Sequence, residues 1–313
     1  MKRKTISLSK ITIADATIQF LHDCRARGLS LRTEIYYQES INKFTRTMKT
    51  VDEVKKIDKV MYDNYLVALR GSNAKPQTIL SNVKGLRVFL NWCFKLDYLK
   101  PFFMIKPKAT KEVKETYTDE ELKKLLTKPS KKEIETSFTD YRTWVMINYL
   151  MATGNRASTM VNLKVKDVDL FGGFATLRTT KNNKDQIIPL ASTITKILIE
   201  YIKLSQLSPD DWLFPSVYNQ CLAINAVHSA IKRYNNKHGV LTQGTHLFRH
   251  TFAKKWIMGG GDIFSLQKMM GHADLEILQE YVHLFSVDVK VKNDQFNPLN
   301  NIVLTQTKKT MKK

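Results

Sequence analysis

Apolar residues in the first hundred positions recur at helical spacing. Ile18, Leu21 and Cys24 form one such run, and Ile35, Tyr36, Ile41 and Phe44 form a second beyond a break at Gly28. Spacings of three and four predict amphipathic helices across 12–48. Ser30 stands where a hydroxyl can cap the second of them. Further helices are predicted over 58–70 and 76–96. The last carries Ile79, Val83, Leu86, Phe89, Leu90 and Phe94, with Pro76 at its first turn, where a missing N–H costs nothing. This first region reads as all-helical and is rich in Lys and Arg.

The pattern then lapses. Residues 104–117 are charged, contain Pro107 and show little periodicity, so they read as a connection. Thr118 and Glu121 fit a capping box ahead of Leu122, Leu125 and Leu126. The chain is accordingly divided into a helical domain over 1–110, a linker over 111–117, a second domain over 118–285 and a tail over 286–313. The competing reading is an exposed loop within one large domain. In the second domain the period alternates. Helices are predicted over 141–153 and 156–162 around a turn at Thr153, Gly154 and Asn155. Two strands, 173–179 and 185–190, flank the polar turn of Lys181 to Lys184. Helices follow over 192–206, 222–237, 246–258, 263–270 and 274–284. This order predicts a mainly α fold with a small antiparallel β-sheet in the second domain.

Charge narrows the field of partners. The chain has 50 Lys and Arg against 29 Asp and Glu, a formal charge of +21 over 313 residues. Such an excess is self-repulsive unless a polyanion offsets it, and nucleic acid gains further from counterion release. A ribosome-associated protein or one that binds anionic membranes has the same charge signature. Cys24, Cys93 and Cys221 are distant from one another and odd in number, which speaks against a disulfide framework or a structural zinc site and fits a reducing cytoplasm. The basic N-terminus lacks the apolar stretch of a signal peptide, and no run is long enough to span a membrane. No paired carboxylates suited to magnesium stand out.

Four short stretches of the second domain carry candidate chemistry. The first runs from Ala152 to Leu163 and contains Arg156. The second is the hairpin from Arg178 to Leu190, with Lys181 and Lys184. The third runs from Thr245 to Ala253, with His246, Arg249 and His250. The fourth runs from Met270 to His283, with His272 and Tyr281. Singly they mean little, since a tyrosine such as Tyr281 is more often a core residue than a nucleophile. In order and spacing, however, they resemble the tyrosine recombinase (phage integrase) family, whose pattern is Arg, Lys, His-x-x-Arg, His or Trp, then Tyr. The resemblance spans 118–285 in register and extends loosely to 12–100, which is similar to the family's core-binding domain.

The resemblance implies a DNA-cutting and rejoining enzyme whose two domains clamp the duplex and which uses neither a metal nor a nucleotide cofactor. By position, Arg156 and Arg249 would hold the non-bridging oxygens of the scissile phosphate. Tyr281 would attack phosphorus, His246 would take its proton, Lys181 would protonate the departing 5′ oxygen, and His272 would hydrogen-bond the phosphate. Lys184 rivals Lys181, but alignment on Ile187 to Leu190 favours Lys181. Thr159 departs from the family, which usually has Glu or Asp there to orient the first arginine, and this predicts reduced activity. His250 and His283 read as structural, and Leu266, Met269 and Met270 as core. Expected partners are double-stranded recombination sites and copies of the chain itself in a tetramer on DNA, with the apolar tail residues Val287, Val289, Phe296 and Leu299 either docking on a neighbour, as the resemblance implies, or packing on their own domain. Accessory DNA-bending proteins are further candidates, and a membrane is not. Arg32, Lys75, Lys84 and Arg87 are candidate phosphate contacts in the first domain. The expected setting is the cytoplasm, on nucleoid DNA, in integration or excision of a mobile element. Xer-type chromosome dimer resolution, a topoisomerase-like or hairpin-forming enzyme, a non-catalytic DNA-binding relative and a helix-turn-helix regulator are the alternatives.

Overall fold

The computed structural model describes residues 11–49, 51–109, 115–178, 185–242, 244–271 and 298–299. The chain divides into two compact units, Met1–Val113 and Lys114–Lys313. The first holds α1 (Ile13–Ala26), α2 (Leu31–Thr47), α3 (Lys59–Arg70) and α4 (Pro76–Lys95). Each start has a local cause. The side chains of Thr12, Ser30 and Asp58 accept from the backbone N–H groups of Asp15, Thr33 and Met61. Pro76 occupies the first turn of α4. Most of the apolar positions predicted from spacing meet in one core that includes Phe20, Ile41, Phe44, Tyr65, Val83, Leu86 and Phe89, but Ile18 and Ile35 lie on the outward faces of α1 and α2 and are exposed.

Within that core α2 and α4 approach closely. The Tyr36 hydroxyl donates to the Ser81 carbonyl at 2.6 Å. A Cβ placed on Gly85 would fall 2.6 Å from Ser40 Cβ, so the absent side chain sets the spacing of the two helices.

The second unit opens with α5 (Asp119–Leu126), α6 (Lys131–Thr136), α7 (Phe138–Thr153) and α8 (Ala157–Met160). It continues with β1 (Val168–Asp169), β2 (Phe174–Leu177), β3 (Gln186–Pro189), α9 (Ser192–Leu204), α10 (Ile224–Lys237), α11 (Thr245–Met258) and α12 (Ile263–Met270). The capping box at α5 closes both ways. The Thr118 N–H donates to the Glu121 carboxylate at 2.9 Å, and the Glu121 N–H donates to the Thr118 hydroxyl at 3.2 Å. Helix α7 is apolar on all sides and correspondingly buried, with Tyr141, Trp144, Val145, Ile147, Tyr149 and Leu150 inside. Helices α5, α6, α9, α10 and α11 pack around it. The sheet runs β1-β2-β3, all antiparallel, with Ala175 opposite Ile188 and Leu177 opposite Gln186. Ala175, Leu177 and Ile188 face the core, while Phe174 and Ile187 face outward.

This is the mainly α fold with a small antiparallel sheet that the alternation of periods predicts. Two elements escape the apolar pattern. Helix α6 has one apolar residue, Ile134, and is started instead by a second capping box from Ser130 and Glu133. Strand β1 has only two residues. Tyr117, in the stretch that reads as linker, is buried in the core of the second unit. Its ring lies 4.5 Å from that of Phe248, its N–H donates to the Thr251 hydroxyl, and its own hydroxyl accepts from Asn235. One aromatic in a polar run is enough to draw that run onto the core. Leu266 and Met270 are buried and Met269 packs against them, as expected of core residues. The polar turn 181–184, the predicted helix 274–284 and the tail apart from 298–299 lie outside the described residues.

Gly85→Ala should raise intrinsic helix propensity by about 1 kcal/mol. Overpacking against Ser40 should cost roughly 1–3 kcal/mol, for a net loss of stability. Ser40→Gly in the same chain should recover part of it. Urea unfolding of the single and double variants checks this, and a Gly85→Ala chain more stable than wild type would refute the close approach.

Candidate active site

The turn between α7 and α8 is built before it is used. Thr153 donates through its hydroxyl to the Tyr149 carbonyl at 2.8 Å. The Asn155 N–H in turn donates to the Thr153 hydroxyl at 3.3 Å. The side-chain amide of Asn155 reaches the Tyr149 hydroxyl at 3.2 Å. Burial pushes that phenol far above its ordinary range, so it stays protonated and serves as a fixed acceptor. Gly154 has φ +63°, a left-handed conformation that ends α7. A Cβ there would meet the ring of Phe252 on α11, at 3.0 Å from Cε1 and nearer still to Cδ1. Directly after this turn Arg156 occupies the N-cap position of α8, half-buried. Its carbonyl accepts from the N–H groups of Thr159 and Met160.

Helix α11 brings the third sequence stretch to the same place. Thr245, its first residue, is buried with its hydroxyl 3.1 Å from His228 Nε2 on α10. His246 is exposed on the first turn, and Arg249, three positions on, is buried. Residues three apart are neighbours on a helix surface, so the two stand side by side along α11. The Nη1 of Arg249 donates to the Gly154 carbonyl at 2.8 Å and to the Met270 carbonyl at 2.9 Å. The second arginine is thereby fixed to the turn that presents the first, and to the last residue of α12. His272 follows that helix by two positions in sequence.

The hairpin is anchored at its base from two sides. Arg178, just past β2, pairs with Asp167 at 2.6 Å, and the Asp167 carboxylate is almost wholly buried. Its other oxygen accepts from the Lys164 N–H at 3.0 Å. Gln186, the first residue of β3, donates to the Lys268 carbonyl and, at 3.4 Å, to that of Met269. Of the residues singled out from sequence, Arg156, His246 and Arg249 are thus brought together, while Lys181, His272 and Tyr281 lie outside the described residues. The anchoring roles of Asp167, Gln186 and His228 have no sequence signature, because each acts on a group far away in the chain.

Residues 115–286, more than half of the chain, match the phage integrase family. The chain belongs to that family. It is an enzyme of site-specific DNA recombination that cuts and rejoins strands. It is similar to the tyrosine recombinase XerD of Staphylococcus haemolyticus (strain JCSC1435), with 26% identity over 298 residues, 92% of this chain and 99% of the relative. The same protein from Staphylococcus aureus (strain N315) is also 26% identical over 298 residues, with the same coverage. Among solved structures, the chain is similar to a lambda integrase dimer bound to a COC′ core site, at 16% identity and a TM-score of 0.69 over 87% of this chain and 77% of that one. It is likewise similar to a XerH site-specific recombinase in a post-cleavage complex with palindromic difH substrate, at 22% identity and a TM-score of 0.66 over 89% and 84%. At these identities the two structures show the fold of the recombinase. Among the described residues no helix is long and apolar enough to cross a membrane.

Gly154→Ala in the recombinase should be costly twice over. A left-handed residue with a Cβ costs about 1–2 kcal/mol, and intrusion on the Phe252 ring adds roughly 1–3 kcal/mol. Thermal unfolding should show the loss. A melting temperature equal to wild type would mean that α11 does not press on this turn.

Proposed function

We propose that the recombinase integrates and excises a mobile element, using Tyr281 as nucleophile and Arg156, Lys181, His246, Arg249 and His272 around the scissile phosphate. The observation that supports this reading most is the bond from Arg249 to the Gly154 carbonyl, two residues before Arg156. It gathers two arginines from remote parts of the sequence at one turn, with His246 one helical turn from the second.

The chemistry follows from what a phosphodiester resists. Its anionic oxygens repel a nucleophile, and guanidinium groups answer that charge with planar, paired N–H donors. The same donors stabilise the additional charge of a pentacoordinate transition state. Tyr281 Oη forms a bond to phosphorus as its proton passes to His246. The bond to the 5′ oxygen breaks, and Lys181 supplies the proton that oxygen needs. His272 donates to a non-bridging oxygen. The product is a 3′-phosphotyrosyl ester and a free 5′ hydroxyl. Ester replaces ester, so a 5′ hydroxyl from another strand reverses the step without a nucleotide.

Double-stranded recombination sites are the substrate, and four copies assemble on a pair of them, with the tail after Phe285 docking on a neighbour. Arg32, Lys75, Lys84 and Arg87 are the first-unit candidates for phosphate contacts, which set register and not sequence. Accessory DNA-bending proteins and a setting on nucleoid DNA in the cytoplasm complete the reading. Similarity to XerD over nearly the whole chain favours a second reading, resolution of chromosome dimers. Mapping the DNA bound in cells separates the two. Occupancy at the ends of an element supports the first reading, and a single chromosomal site supports the second.

Tyr281→Phe should leave DNA affinity unchanged and abolish the covalent adduct on a nicked suicide substrate. An adduct mapping to another tyrosine would overturn the assignment. Arg156→Lys should cleave more slowly by about 10²–10³-fold, the scale of a lost oxyanion donor, since an ammonium lacks the planar fork. Wild-type cleavage by this variant would remove the paired-donor role.

A further inference from the structure

The C-terminal end of α12 is capped by two side chains from different elements. The last carbonyls of a helix have no partner within it. Here the Lys268 and Met269 carbonyls accept from the Gln186 amide, and the Met270 carbonyl accepts from Arg249 Nη1 at 2.9 Å. The helix has only eight residues, of which Leu266 and Met270 are buried. So short a helix is not held in place by its own hydrogen bonds, and the position of its end depends on its tethers. Gly271 ends it with φ +68°, and a Cβ on Gly271 would lie 2.5 Å from Gln186 Oε1. The missing side chain leaves the space that the amide occupies. Gln186 itself is fixed by the sheet, where it pairs with Leu177.

We propose that Gln186 is a positioning residue for Arg249, acting through the last turn of α12. The Gly154 and Met270 carbonyls are among the acceptors that direct the guanidinium. The first belongs to a turn that is rigid in its own right. The second is adjacent to the carbonyls that Gln186 holds, so loss of the amide frees the backbone beside it while the Met270 side chain stays packed. Without the amide, the guanidinium pivots about Gly154 and leaves the orientation that binds phosphate. The inference rests on the reading of Arg249 as a phosphate-binding arginine.

The test uses the full chain on a nicked suicide substrate carrying either a phosphate or a methylphosphonate at the scissile position. A methylphosphonate lacks one anionic oxygen, so it needs an arginine less. Gln186→Leu should slow covalent adduct formation on phosphate by about tenfold to a hundredfold, the scale of a misplacement of order 1 Å in a catalytic site. DNA affinity should be unchanged, and the defect should largely disappear on methylphosphonate, in parallel with Arg249→Ala. Gln186→Glu keeps the shape but offers no donor to the carbonyls, and should show the same pattern. Equal defects on both substrates, or a wild-type rate in either variant, would overturn the proposal. If Arg249→Ala itself gains nothing on methylphosphonate, the phosphate-binding reading fails. If Arg249→Ala gains and the Gln186 variants do not, this inference alone fails.

Discussion

The buried guanidinium of Arg249 joins parts of the second unit that are otherwise distant, and the site takes its form from that junction. Taking a charged group out of water is costly unless its hydrogen bonds are replaced. Two carbonyl oxygens, from Gly154 and Met270, supply part of that replacement. Carbonyls orient a guanidinium through their lone pairs while carrying no net charge of their own. These two bonds fix the direction of the guanidinium through backbone groups, which is a form of preorganisation.

That junction requires its two acceptors to be in place independently. On one side α7 provides the rigidity. It is enclosed by five other helices, and its last turn is braced by Thr153, Asn155 and Tyr149. On the other side α12 has little core of its own, and the small cluster of Phe252, Ile257, Leu266 and Met270 sets it on α11. Phe252 belongs to both arrangements, since its ring fills the space that Gly154 leaves open. A change in α11 packing therefore reaches the first arginine through Gly154 and the second through the helix that carries it.

Much of the fold was legible because it rests on local physics. Gly28 with Ser30, Pro76, and the capping box of Thr118 and Glu121 all act within a few residues, and the structure forms them as the pattern predicts. The two longer strands followed from alternation. What stayed hidden is of two kinds. Strand β1 and helix α6 are too short for any period to register. The links from Arg178 to Asp167, from Gln186 to α12 and from Tyr117 to α10 and α11 cross long stretches of sequence. A polar residue gives no sign in sequence of which distant backbone group it will meet. The candidate site reads in sequence as an ordered set of residue types, and of these Arg249 is bonded to the turn that precedes Arg156, with His246 three positions before it on α11. The residue that steadies them, Gln186, lay inside a stretch already singled out and had no role there.

Apart from Arg249, on the second turn of α11, the described polar groups of the site stand at the ends of elements. Arg156 caps α8, His246 stands in the first turn of α11, Gln186 opens β3, and Arg178 lies just past β2. This placement has a physical reason. Inside a helix or sheet the backbone is satisfied by its own ladder. At the ends, carbonyl and N–H groups are left over, and these are what a guanidinium or an amide can use for orientation. The Gly154 carbonyl is open to Arg249 because α7 stops there in a left-handed residue, and the Met270 carbonyl is open because α12 stops at Gly271. The two glycines end two helices at one point in space, and that coincidence creates the pair of acceptors that aims Arg249. The same backbone breaks that limit α7 and α12 therefore generate the directionality on which the proposed phosphate binding rests.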